Sequence, residues 1–111
     1  MKINKELMKG STMILVLSLL EQESMYGYQM IKKIEEKSSG VFTFKEGTLY
    51  PILHSLESDG LVESFWDHGD SGRKRKYYRI TKKGKTSLRD KQEEWRLFRR
   101  TVDQVLGEGL V

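Results

Sequence analysis

Residues 45–62, KEGTLYPILHSLESDGLV, restrict the fold more than any other stretch of the chain. Leu49, Ile52, Leu53 and Leu56 recur at helical spacing and form one apolar stripe. Glu46 and Thr48 precede them, in the turn whose backbone N–H groups lack partners and favour a carboxylate. Gly60 supplies a stop, after which Leu61 and Val62 begin a new element. Pro51, the single proline, would remove an early hydrogen bond from a helix begun at Glu46, so the spacing places the start nearer Thr48. The face opposite the stripe carries Thr48, Tyr50, His54, Ser55 and Ser58, all able to hydrogen-bond and none acidic. A helix of that kind suits the major groove of a duplex. The same pattern also describes an ordinary surface helix, so the flanking segments must decide.

Upstream, residues 5–22 read as a helix whose second half is apolar nearly all round, as expected of a central element or a subunit contact. Gly10 and Ser11 weaken its middle, and Ser11 can cap a restarted helix. Residues 25–37 read as a second helix, with either Tyr28, Ile31 and Ile34 or Tyr26, Met30 and Ile34 turned inward. Residues 41–44, VFTF, are rich in β formers and either pair as a strand or simply pack. Two helices joined by a connector, the second with a polar face, make a helix-turn-helix, although this connector exceeds the minimal turn.

Downstream, residues 61–65 and 76–80 read as two strands around DHGDSGRKR, where Gly69, Asp70, Ser71 and Gly72 are turn formers. Arg73, Lys74, Arg75 and Lys76 follow as four consecutive cations. A hairpin directly after the polar-faced helix is a wing, and its cations belong along a phosphate backbone or in a minor groove rather than merely in solvent. Residues 81–106 form the longest helix, capped by Thr81 and softened by Gly84. Leu88, Lys91, Trp95, Phe98, Val102 and Val105 alternate spacings of three and four, a heptad seam with one polar intruder. Gly107 and Gly109 end it. The fold class is therefore mainly α with a small β-wing. A winged helix-turn-helix over residues 1–80 joins a long C-terminal dimerisation helix over 81–111, and the two form one cooperative unit.

Composition narrows the function. The chain has 111 residues, one small domain by length. Its net charge is +4 and its pI about 9.3, which suits a polyanionic partner. Without cysteine there is neither a disulfide nor a thiolate zinc site, and His54 and His68 are too few and too far apart for a metal. Residues 15–20 are too short an apolar run to span a bilayer and lack a cleavage signature, so no membrane partner and a cytoplasmic location are expected. No catalytic constellation and no cofactor motif appears, so the chain is not expected to be an enzyme.

The residues Tyr26-Gly27-Tyr28, Gly47-Thr48-Leu49-Tyr50-Pro51, Gly60-Leu61-Val62, Gly72-Arg73 and Tyr77-Tyr78-Arg79-Ile80-Thr81 with Gly84 resemble the PadR family of bacterial transcriptional regulators. The short length resembles its smaller subfamily, which includes a lactococcal multidrug-sensing regulator. The resemblance implies a homodimer that binds double-stranded operator DNA, represses a neighbouring operon and loses affinity when an effector binds. Thr48, Tyr50 and His54 would meet base edges and phosphates, Lys5 and Lys45 the flanking backbone, and Arg73 and Lys74 would lie at the wing. Trp95 matches a tryptophan that walls a flat pore between subunits, and Leu7, Ile14 and Phe98 match other wall positions. Such a pore takes a planar aromatic ligand. Arg99 stands where the drug-sensing relative has an acidic residue, so a neutral or anionic ligand fits better than a cationic dye. Trp95 as plain dimer packing is the simpler alternative. A ligand sensor with a secondary DNA role, or a winged helix used as a protein-interaction module, are the competing functions.

Overall fold

The apolar second half of the first helix becomes the centre of the molecule. The computed structural model describes residues 3–70 and 72–108, apart from the side chain of Lys5. Ser71 in the wing turn and Gly109 after the last helix therefore lie outside the described residues. The helix expected over 5–22 is two, α1 (Lys5–Lys9) and α2 (Thr12–Gln22), broken at Gly10 and Ser11. Ser11 offers no side-chain cap; its N–H and the Thr12 hydroxyl both donate to the Met8 carbonyl instead. Val16, Leu17, Leu19 and Leu20 of α2 are buried among side chains from every later helix and the sheet.

The second helix is shorter than its periodicity suggests. Met25 and Tyr26 form a strand, β1 (Met25–Tyr26), and only then does α3 (Gly27–Lys37) begin. The two residues gain ladder partners across the chain, Met25 opposite Tyr78 and Tyr26 opposite Tyr77, in place of about half a helical turn. Met30, Ile31 and Ile34 face the core while Tyr28 stays exposed. Residues 41–44 pack rather than pair, with Phe42 and Phe44 against the core.

The helix that follows, α4 (Glu46–Ser58), starts two residues before the expected Thr48 and holds Pro51 inside it. The Lys45 carbonyl accepts from both Thr48 and Leu49 N–H at 3.0 Å, so the first turn is closed before Pro51, and the lost N–H costs only one bond near the end. Leu49, Leu53 and Leu56 are fully buried. The hairpin strands β2 (Val62–Asp67) and β3 (Arg75–Ile80) then run antiparallel, from Val62 opposite Ile80 to Asp67 opposite Arg75, in a sheet ordered β1-β3-β2. Helix, strand, two helices and a hairpin in that order make a winged helix-turn-helix, with α3 and α4 as its paired helices.

The last helix, α5 (Lys82–Leu106), is about 37 Å long at 1.5 Å per residue. Thr81 caps it as expected, its hydroxyl accepting from Gly84 N–H at 3.0 Å. Gly84 is not a softening of the turn but a packing requirement: a Cβ there would lie 2.0 Å from the Leu61 carbonyl oxygen. Leu88, expected on the dimer seam, has no exposed surface and belongs to the core of its own chain, because α2 packs against this end of α5. Among the described residues no helix is long and apolar enough to cross a membrane.

Gly84→Ala should lower the urea unfolding free energy by about 3 kcal/mol, as overpacking against backbone does. Gly47→Ala, in open space on a helix, should raise it by about 0.5 kcal/mol. Equal midpoints for the two variants would refute the Gly84–Leu61 contact as a determinant.

Candidate nucleic-acid interface

The first turns of α3 and α4 and the hairpin enclose an open cleft of about 500 Å³. One wall is built from Tyr26 of β1 with Gly27, Tyr28, Glu46 and Tyr50 of the two helices, and the other from Trp66, Tyr78 and the cations Arg73 to Lys76 of the hairpin. Thr48 and His54 are exposed on α4 and Lys45 at its N-cap, and none of the three lines the cleft. Tyr50, expected near base edges and phosphates, lines the cleft and leans on the start of α3. A Cβ on Gly27 would lie 2.8 Å from its ring, so glycine is what lets α4 seat on α3. Tyr50 stays 36% exposed, with the rest of it covered in part by this contact. Burial, and then the charge of Glu46, pushes its hydroxyl above the ordinary phenol range. Burial likewise raises Tyr78 on β3, with Glu57 and Tyr50 adding to the shift.

The run of four cations is divided by the hairpin. Arg73 and Lys74 are exposed in the turn, while Arg75 and Lys76 enter β3 on opposite faces of the sheet. Rings hold them: Lys74 Nζ is 5.8 Å from the Trp66 ring, Arg75 is 4.4 Å from Tyr26, and Lys76 Nζ is 5.7 Å from Tyr78. On the outer face Arg79 pairs with Glu63 at 2.7 Å and lies over Phe65, so its charge is partly spoken for. The charge run alone did not reveal this. Tyr77 and Tyr78 directly after the cations, Trp66 on the facing strand and the aromatic pair flanking Gly27 were the available signals. The side chain of Lys5, also expected to meet the backbone, lies outside the described residues.

The residues expected to bind an effector sit elsewhere. Leu7 is exposed on α1, Ile14 is half-buried on α2, and Trp95, Phe98 and Arg99 are exposed on the second half of α5. Trp95 and Phe98 stack with ring centroids 5.8 Å apart. Neither the wing cleft nor a smaller apolar one of about 210 Å³ between α2 and α3 is lined by any of these five. Among the described residues no three His, Asp or Glu side chains gather as a metal site.

Comparison with known proteins places this geometry in context. The sequence model of the transcriptional regulator PadR-like family matches residues 16–90, from the core of α2 through both walls of the cleft into α5. An uncharacterized protein of Lysinibacillus sphaericus is 32% identical over 108 residues, which span 97% of this chain and 98% of that one. A PadR family transcriptional regulator from Eggerthella lenta superposes with a TM-score of 0.79 at 39% identity, covering 91% of this chain and 86% of its own. A PadR-like transcriptional regulator from Bacillus cereus gives 0.83 at 30% identity, over 95% and 100% of the two chains.

Both tyrosines hold their protons more tightly in the fold than in the unfolded chain. The unfolded chain therefore ionises first above about pH 10, binds fewer protons there, and stability falls as pH rises. Tyr50→Phe with Tyr78→Phe should flatten that alkaline decline in urea midpoints taken between pH 8 and pH 11. A decline of undiminished slope would assign it to other groups.

Proposed function

The chain belongs to the PadR-like family of transcriptional regulators, whose members are DNA-binding regulators rather than enzymes, and on that premise we propose that two copies join through α5 and present paired α4 helices and wings to one duplex. The observation that carries this reading is the seam on α5. Beyond the buried Leu88, Trp95 is 38% exposed, Phe98 57% and Val105 82%, on a helix whose other faces are charged. An apolar stripe that continues past its own core is what a second copy of the same helix covers. Residues 1–80 then act as the DNA-reading part and 81–111 as the dimerisation part, sharing one core through Leu88 and Gly84. Thr48 and His54 meet base edges, Tyr50, Lys45 and Lys5 meet the backbone, and Arg73 and Lys74 lie along it at the wing.

In this reading the protein represses a neighbouring operon. The stacked Trp95–Phe98 pair supports an effector as well: across a two-fold axis two indoles would face each other and accept a planar aromatic molecule. Arg99, one turn beyond Trp95, favours a neutral or anionic one. That resembles the drug-sensing subfamily in architecture with an inverted charge preference.

Sedimentation should show a dimer at micromolar concentration, and Phe98→Glu should convert it to monomer; a wild-type monomer would remove the pairing. For binding to the intergenic duplex, Arg73→Ala with Lys74→Ala should reduce the slope of log affinity against log salt by about 2. An unchanged slope would take the wing out of the interface. A neutral planar aromatic should quench Trp95 at micromolar concentration and weaken duplex binding in parallel.

A further inference from the structure

The two walls of the wing cleft share a construction that the charge pattern does not predict. On the wing, Trp66 is 61% exposed with the Lys74 ammonium 5.8 Å from its ring. On α3, Tyr28 is 52% exposed with the Lys32 ammonium 5.5 Å from its ring. Each is a flat apolar ring left in water with a cation beside it, and both rings line the same space. Trp66 also stands opposite Lys76 in the ladder, on the sheet face shared with Tyr78 and turned toward the helices. An exposed indole gains free energy when its face is covered, and the cations beside it select an occupant that alternates apolar and anionic groups. One strand of a duplex has that alternation, deoxyribose and then phosphate.

We propose that Trp66 is a DNA-contacting residue: with Tyr28 it forms the jaws of a slot for one sugar–phosphate strand, its indole packing on deoxyribose while Lys74 meets the adjacent phosphate. The proposal rests on the DNA-binding reading above. It adds an uncharged contact to an interface otherwise built from cations and the polar face of α4. Such a contact strengthens binding to every sequence alike, because sugars carry no sequence information.

The test titrates a fluorescently labelled intergenic duplex into wild type, Trp66→Phe and Trp66→Ala, after circular dichroism melts show that the variants fold. Anisotropy of the label reports binding, and intrinsic emission with acrylamide quenching reports the indoles. Wild type should change emission and lose acrylamide access at saturation. Trp66→Phe should bind within a few-fold and lack that change, which isolates Trp66 from Trp95. Trp66→Ala should weaken binding about tenfold, with the salt slope unchanged because no charge is lost. A residue that merely held Lys74 in place would lower the slope as well, and that result overturns the proposal. Saturated binding with Trp66 emission and access unaltered overturns it too, while leaving the DNA-binding reading intact. A duplex that fails to bind wild type even at low salt ends both. A mononucleotide that quenches Trp66 and displaces the duplex at micromolar concentration would make the slot a small-molecule site instead.

Discussion

The Leu61 carbonyl is the point on which the architecture turns. It accepts from Thr81 N–H at 3.0 Å and lies against Gly84, so the root of the wing and the start of α5 touch backbone to backbone. One residue earlier, the Gly60 carbonyl accepts from the Thr81 hydroxyl at 2.6 Å, and Asp59 accepts from Lys83 at 2.8 Å. The Leu61 N–H returns to Leu56 at 2.9 Å and Gly60 N–H to Glu57 at 3.0 Å, closing α4 with Gly60 in the left-handed region. The end of α4, the base of the hairpin and the first turn of the long helix are thereby held in a single hydrogen-bonded knot.

A second clamp acts at the opposite end of α4. The Tyr50 ring on Gly27 sets how α4 sits against α3, and the same tyrosine reaches the cleft that faces the wing. Between the two clamps the buried Leu49, Leu53 and Leu56 fix the rotation of α4, which decides that Thr48 and His54 are presented outward. The wing is ordered by a different means. Its cations rest on aromatic faces, so part of the entropy of long side chains is already surrendered before any polyanion arrives.

Much of this was legible from residue order alone. The polar-faced helix, the basic hairpin and the capped last helix are local patterns, and each appears within a residue or two of where periodicity and turn chemistry put it. The misreadings have two causes. Met25 and Tyr26 look helical until β3 offers them a ladder, Thr48 looks like a start until Lys45 closes an earlier turn, and Leu88 looks like seam until α2 covers it. Each outcome was decided by a partner far away in sequence or by a geometry that propensity does not encode.

Sequence by itself determined the kinds of surface this protein owns: one helix with a greasy face and a hydrogen-bonding face, one cationic hairpin, one heptad stripe. Those depend on spacing and side-chain chemistry, which a linear chain already carries. Only the tertiary structure decided how they are aimed. It left Trp95 and Phe98 outside the core and put Leu88 within it. It also stood Trp66 across a cleft from Tyr28 and required glycine at 27 and 84, since close approach and burial are properties of chain segments that meet only after folding.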